Sequence, residues 1–440
     1  MSRRSLPACL SSPLLSLLAA LSLPLVACSS DAPQPAGPAT PQPDAGADTS
    51  PSDAAEQPDA LMTDQDAAPD AAAGVRLALF TASDFTTTAQ LGVLDLGKAP
   101  PAAFPTTSFD DQDSMVVADR TYAFVLHRTQ GTVSVLRNDG SAAVVRDVNV
   151  NAAGADAGKA NPYAVVMPAN DKAYVIRYGL NSVAVIDPTS STAATTEIDL
   201  SEFVADPDGL VDAFAGVYDP STGRAYIGLQ RIDQNSFGAA PDYVSPCLAA
   251  RAAIVGIDTS TDTVLDLNGA GQGKLIELDV ADPGAMVLDE ASHRIIVMGV
   301  GCADAADGGQ GRSGRGVQSV DLSDGTVAWL WQTQALPRPA ALLWMGTHEA
   351  LVGLDDESFT RHWYVWDPAT PSLGVELQGV PQVPTWDGQR GLIGLDSDSV
   401  DAGSVLDVVR YDLDTNTSSV LVPSAFTSPG LVPYSSATAR

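Results

Sequence analysis

The sequence predicts an all-β chain closed into a β-propeller of seven blades after a separate N-terminal region. Three observations carry this expectation. From about Val75 onward, short apolar, β-branched runs alternate with Gly, Pro, Asp and Asn, and no long amphipathic helix interrupts them, as expected for many short strands. A two-part unit recurs seven times in this region, at a spacing of roughly 40 to 70 residues, which suits one four-stranded blade per unit. The second run of most units ends in Asp, a residue that starts turns by bonding its own backbone. A single blade cannot bury both of its faces, so the copies must stack, and a ring closes the stack.

The units can be followed along the chain. Leu77-Ala-Leu-Phe80 goes with Leu91-Gly-Val-Leu-Asp95, and Thr121-Tyr-Ala-Phe-Val125 with Val133-Ser-Val-Leu136. Lys172-Ala-Tyr-Val-Ile176 goes with Val183-Ala-Val-Ile-Asp187, and Arg224-Ala-Tyr-Ile-Gly228 with Ile254-Val-Gly-Ile-Asp258. Arg294-Ile-Ile-Val-Met298 goes with Val317-Gln-Ser-Val-Asp321, Glu349-Ala-Leu-Val-Gly353 with Trp363-Tyr-Val-Trp-Asp367, and Arg390-Gly-Leu-Ile-Gly394 with Val408-Val-Arg-Tyr-Asp412. The first member of each pair reads as a second strand and the other as a third strand. Second strands such as Lys172-Ala-Tyr-Val175 and third strands ending like Val185-Ile-Asp187 resemble those of YVTN-type, quinoprotein-like seven-bladed propellers. Ser108 to Val135 and Met345 to Asp367 depart from that pattern, which leaves the blade count open, and two tandem β-sandwiches remain the alternative architecture. The first unit lacks an inner strand. Gly430-Leu-Val-Pro-Tyr434 resembles the inner strand Asn161-Pro-Tyr-Ala-Val165, so Leu431 to Ser435 is expected to pair with Arg76 to Thr81 and close the ring.

Residues 1–27 read as a signal peptide: Arg3 and Arg4 precede a Leu-rich stretch that Pro7, Pro13 and Pro24 interrupt, which argues against a spanning helix. Leu25-Val-Ala-Cys28 resembles the bacterial lipobox. That resemblance implies diacylglycerol on Cys28, and Ser29 in place of Asp implies the outer membrane; an ordinary cysteine near a conventional cleavage site is the competing reading. Residues 28–74 form an Ala/Pro/Asp-rich linker whose composition predicts disorder. The propeller is expected over 75–440.

Of the formal charge of −31, the signal peptide carries +2 and the linker −9, which leaves −24 beyond Gly74. Such acidity repels phosphate backbones and anionic headgroups, so nucleic acid is excluded and membrane contact is expected through the lipid alone. It also keeps a surface-exposed, monomeric protein soluble. Once Cys9 is removed and Cys28 is lipidated, Cys247 and Cys302 remain, expected as one disulfide between long loops of consecutive blades.

Sites are sparse. His127, His293, His348 and His362 show no metal-ligand spacing, no Gly-x-Ser-x-Gly elbow occurs, and Ser323 to Trp329 has the letters of a sialidase box at the wrong spacing. The six tryptophans lack the docking repeat of quinone-dependent propellers, so no redox cofactor is expected. Three acidic clusters could offer oxygens to Ca²⁺: Asp110-Asp111 with Asp113, Asp355-Asp356-Glu357, and Asp396, Asp398 and Asp401, the last slightly favoured. Solvated hairpin tips are the plainer reading of each. The expected function is a lipid-anchored envelope module that binds a protein or small molecule, or serves as a scaffold. The alternative is a hydrolase or lactonase-like enzyme at the channel mouth. Carboxylates, His or Arg converging there from several blades would favour catalysis, and a small, apolar lining would favour binding.

Overall fold

The computed structural model describes residues 77–98, 104–119, 121–152, 159–190, 196–205, 207–236, 244–268, 274–304, 312–334, 337–397, 405–428 and 430–439. The signal peptide, the linker, Arg76, Asp398 and Asp401 lie outside them. Seven antiparallel sheets follow one another along the chain. The second blade comprises Ser114–Ala118, Tyr122–His127, Thr132–Arg137 and Val144–Asn149. The third comprises Pro162–Ala169, Lys172–Arg177, Ser182–Ile186 and Thr196–Asp199. In the fourth, Ala213–Asp219, Arg224–Leu229 and Ala253–Asp258 share an outer edge split between Thr263–Val264 and Leu275–Glu277. The fifth is built of Pro283–Asp289, Arg294–Ala303, Arg312–Asp321 and Val327–Gln332. The sixth is built of Arg338–Gly346, Glu349–Asp355, Arg361–Trp366 and Glu376–Leu377. The seventh is built of Gln382–Trp386, Gly391–Ser397, Leu406–Asp412 and Thr417–Phe426.

The first blade draws its strands from both ends of the domain. Leu77–Ser83, Ala89–Asp95 and Thr106–Phe109 are consecutive, and Val432–Ala439 supplies the missing inner strand, with Thr81 opposite Ser435. This pairing runs further along the tail than expected, while Leu431 is buried beside Phe80, Leu395 and Phe426 at the seam with the seventh blade. The inner strands neighbour one another in cyclic order around the ring. Seven sheets in a closed ring exclude the tandem sandwiches. The two stretches that depart from the repeat, Ser108 to Val135 and Met345 to Asp367, nonetheless build regular blades.

Burial explains the repeat. Second strands are the most apolar and the most buried, as in Leu77–Ser83 and Lys172–Arg177, because their two faces pack on the blades to either side. Tyr174 and Ile176 of the third blade, for example, share a cluster with Ile227 and Val255 of the fourth. Inner strands such as Ala213–Asp219 and Arg338–Gly346 stay half-buried beside the ring axis. In six of the seven blades the Asp that ends the third strand caps its turn: Asp95, Asp187, Asp258, Asp321, Asp367 and Asp412 each accept a bond from the N–H two residues on, at 2.8–3.1 Å.

Cys247 and Cys302 are joined, with Cα atoms 4.9 Å apart. Cys247 lies in the loop between the second and third strands of the fourth blade, as expected. Cys302 instead sits on the strand Arg294–Ala303, because that hairpin extends well past its neighbours. The Cys247 loop lies along this extension through a parallel bridge of Pro246 with Ala303 and a 2.9 Å bond from Cys247 N–H to Ala303 C=O.

Candidate functional site

In a four-stranded antiparallel blade, the loop from second to third strand and the crossing into the next inner strand emerge on the same face. On this upper face the crossings into blades two to five end at Asp113, Asn161, Asp212 and Asp282, each immediately before an inner strand. Asn161, Asp212 and Asp282 hold φ of 43°, 51° and 46°, the left-handed region that Asn and Asp tolerate better than most side chains. The crossing therefore turns sharply at the start of the inner strand.

Around the mouth Asp113 and Asn161 join a bonded belt. Arg128 Nη1 donates to Asp113 Oδ1 at 3.0 Å and to the Tyr434 hydroxyl at 2.8 Å, and its Nε donates to Asn161 Oδ1 at 3.0 Å. Tyr434 in turn donates to Asp113. The guanidinium of Arg128 lies 4.1 Å from the centre of the Tyr163 ring, and Tyr163 stacks on Tyr178 with centroids 4.6 Å apart. Tyr178 donates to Gln230 Oε1 at 2.7 Å, and Gln230 Nε2 donates to the Pro283 carbonyl at 2.7 Å. Phe85 meets Tyr434 edge-on, and Arg338 lies 4.7 Å from the Phe359 ring centre. Burial raises the pKa values of Tyr163, Tyr178 and Tyr434, with Asp113 adding to the effect at Tyr434, so all three remain hydroxyl donors.

Asp282 differs from the other acids of the mouth. Burial pushes its carboxyl up to about 6, against a smaller opposing pull from Arg338. Asp282 is half-buried. Among the described residues no hydrogen bond to its carboxyl is present. Asp282 and Gln230 also border a cavity of about 270 Å³ between the fourth and fifth blades, whose wall includes the disulfide, Ser245, Arg231 and Leu248.

The residues singled out from sequence are scattered. His127 is buried, pairing with Ser114 Oγ at 2.9 Å and Ser134 Oγ at 2.7 Å while Ser134 donates to Asp147, so one chain of bonds ties all four strands of the second blade. Burial lowers its pKa, against Asp111 and Asp147. His293 contacts Asp219 of the preceding blade at 3.1 Å on the lower face, and His348 is largely exposed. His362 lies 2.9 Å from Glu376, which raises its pKa. The acidic clusters are not merely solvated tips. Asp111 is buried, accepting bonds from Asp113 N–H and Thr129 Oγ1, and Asp113 enters the belt. Asp355 is buried against Arg361 at 2.7 Å, whereas Asp356 caps its turn. Asp396 is exposed opposite Asp407, and Asp398 and Asp401 lie outside the described residues. No group of three or more metal-ligating side chains occurs among the described residues.

Sequence reasoning missed Arg128, Tyr163, Asp212 and Asp282. The signal was present: Asp113-Ser, Asn161-Pro, Asp212-Ala and Asp282-Pro recur just before inner strands. At Asn161, Asp212 and Asp282 the polar residue takes the left-handed backbone that opens the inner strand.

The chain is a seven-bladed β-propeller. No protein family profile matches it, and no curated protein does. Solved structures similar to it include the Pseudomonas aeruginosa periplasmic gluconolactonase PpgL, 14% identical over 82% of this chain and 99% of that one, with a TM-score of 0.50. The Citrobacter koseri protein AztD is 12% identical over 83% of this chain and 98% of that one, at a TM-score of 0.45. The dihydro-heme d1 dehydrogenase NirN is 13% identical over 82% and 74%, at 0.47. Likeness at such low identity shows the propeller fold alone.

Proposed function

We propose that this chain is a lipid-anchored, YVTN-type propeller of the outer envelope that binds a small, hydroxyl-rich molecule at the upper mouth. The observation that carries the reading is the bonded belt from Tyr434 through Asp113, Arg128 and Tyr163 to Tyr178 and Gln230. Its charged members already satisfy one another, so they form a preorganised surface of aromatic faces and hydrogen-bond groups, which is what recognition of a polar ring requires. The test is ligand-observed NMR with glucose, gluconate and glucono-1,5-lactone. Binding of one probe that Arg128→Met and Tyr163→Leu abolish, in variants that keep the wild-type melting temperature, supports the reading. Binding that survives both substitutions, or no binding by any probe, overturns it. The lipid is tested separately: Cys28→Ala should lose incorporation of a fatty-acid label, and retained labelling removes the anchor.

One observation favours a hydrolytic reading. Asp282, raised to about 6 and without a hydrogen-bond partner among the described residues, can hold or release a proton near neutral pH, and Asp and Arg side chains converge on the mouth from several blades. Hydrolysis of glucono-1,5-lactone above the buffer rate, lost in Asp282→Asn, would establish catalysis. A rate equal to buffer would leave the binding reading alone.

A further inference from the structure

The cavity between the fourth and fifth blades carries a separate inference, which rests on the reading of the upper face as a ligand surface. Its wall mixes apolar side chains, Ile232, Leu248, Leu278 and Val280 beside the disulfide, with polar and charged ones. Most of its charges are engaged: Arg251 pairs with Asp279 at 2.6 Å, Arg231 donates to the Arg251 carbonyl at 2.9 Å, and Asp304 accepts from Ser313 Oγ at 3.4 Å. Two groups stand apart. Ser245 is fully buried, and its Oγ has no hydrogen-bond partner among the described residues. The Asp282 carboxyl likewise has none among the described residues. The titratable groups facing Asp282 from packed elements are Arg338, Tyr163 and Tyr178, and Arg338 also lies 3.7 Å from Asp355.

A buried hydroxyl without a partner costs about 1–3 kcal/mol, and a carboxylate withdrawn from water without a hydrogen bond favours a cation beside it. An ammonium group answers both, with three donors on a compact charge, and the acidic domain raises the local concentration of cations. We propose that this cavity binds a small primary ammonium compound with an apolar tail, its charge paired with Asp282, one N–H on Ser245 Oγ, and its tail against Leu248 and Leu278. A carboxylate ligand would meet Asp282 in repulsion, and a neutral alcohol would leave the carboxylate without its cation.

The probe is n-butylammonium, titrated calorimetrically into the protein beside butan-1-ol and butyrate. Near neutral pH the ammonium should bind at least about tenfold more tightly than the alcohol, a difference of about 1.4 kcal/mol, and butyrate should not bind. Asp282→Asn should remove about tenfold or more of the affinity, and Ser245→Ala severalfold. Affinity should weaken from about pH 7.5 to about pH 5 as Asp282 takes up its proton. Equal binding of butan-1-ol, no loss in Asp282→Asn, or no saturable binding at millimolar concentration overturns the proposal. Saturable amine binding without binding of any sugar probe, or the reverse, tells failure of the mouth reading apart from failure here.

Discussion

The Ser435 hydroxyl joins the C-terminal strand to two blades at once. Ser435 Oγ lies 2.7 Å from Thr81 Oγ1 and accepts the Val116 N–H at 2.9 Å, so it links the tail to the second strand of blade one and to the inner strand of blade two. Both side chains are buried. Replacing Ser435 by Ala removes the acceptor of a buried backbone N–H, which costs about 1–3 kcal/mol, and a hydroxyl pair worth about 0.5–1.5 kcal/mol. The expected loss is therefore about 2–4 kcal/mol, read as a lower urea midpoint at unchanged slope. In a Thr81→Val background the same substitution should cost about 1 kcal/mol less, because only the Val116 bond remains to be lost. Amide exchange should quicken in 432–439 before it does elsewhere. A loss below about 0.5 kcal/mol, or strict additivity with Thr81→Val, would show that the apolar seam around Leu431 closes the ring without the polar clasp.

Two further outcomes follow from the upper face. Replacing both Cys247 and Cys302 by Ser opens a loop spanning 55 residues and should cost about 4 kcal/mol by the chain-entropy account; equal urea midpoints for the two proteins would contradict it. Asp282→Asn should stabilise the protein. Its folded pKa of about 6 lies above the ordinary value of about 3.9, so the proton favours the folded state below about pH 4 and that contribution is lost as pH rises through 6. The gain should be on the order of 1–3 kcal/mol at pH 7 and absent near pH 4, checked by unfolding at both pH values; a gain equal at both would assign it to packing.

The blades were legible because their cause is local. A second strand buried on both faces must be apolar throughout, and a third strand that turns sharply must end in a residue able to bond its own backbone. Lys172-Ala-Tyr-Val-Ile176 and Val185-Ile-Asp187 therefore state their places directly. Ring closure was legible for a related reason, since Leu77 to Phe80 reads as a second strand without a first and the tail reads as a first strand without a second. The mouth was not, because its chemistry comes from residues brought together over long separations: Arg128 meets Tyr434 across 306 positions. Asp282 looks in sequence like any turn acid, and only burial by neighbouring blades distinguishes it from the solvated Asp187 or Asp258. The extension that carries Cys302 was hidden because Gly299 to Ala303 lacks the alternation of a strand, although its backbone continues the ladder to Arg312.

Among the described residues, phenylalanine takes a left-handed turn on the upper face alone, where Asn161, Asp212 and Asp282 hold that conformation too. Lower turns that need the left-handed backbone use Asp262, His293, Asn416 and Ala142; Asn416 accepts from Tyr411 close by, while Asp262 and His293 bond the preceding blade. The upper face puts Phe85 and Phe359 in that conformation, at φ of 51° and 60°, a strain of about 1 kcal/mol or more for each bulky side chain. Capping carboxylates hold both in place: Asp84 accepts the N–H groups of Thr86, Thr87 and Thr88, and Asp356 those of Ser358 and Thr360. Both rings remain about half exposed, at 53% and 47%. Glycine or asparagine would relieve the backbone with little loss of buried surface, so stability does not account for phenylalanine there. Each ring lies against a member of the mouth, Tyr434 for Phe85 and Arg338 for Phe359. Strain therefore collects where the belt, the unpartnered Asp282 and the disulfide-walled cavity also lie, as expected if aromatic surface at the mouth serves a ligand rather than the fold.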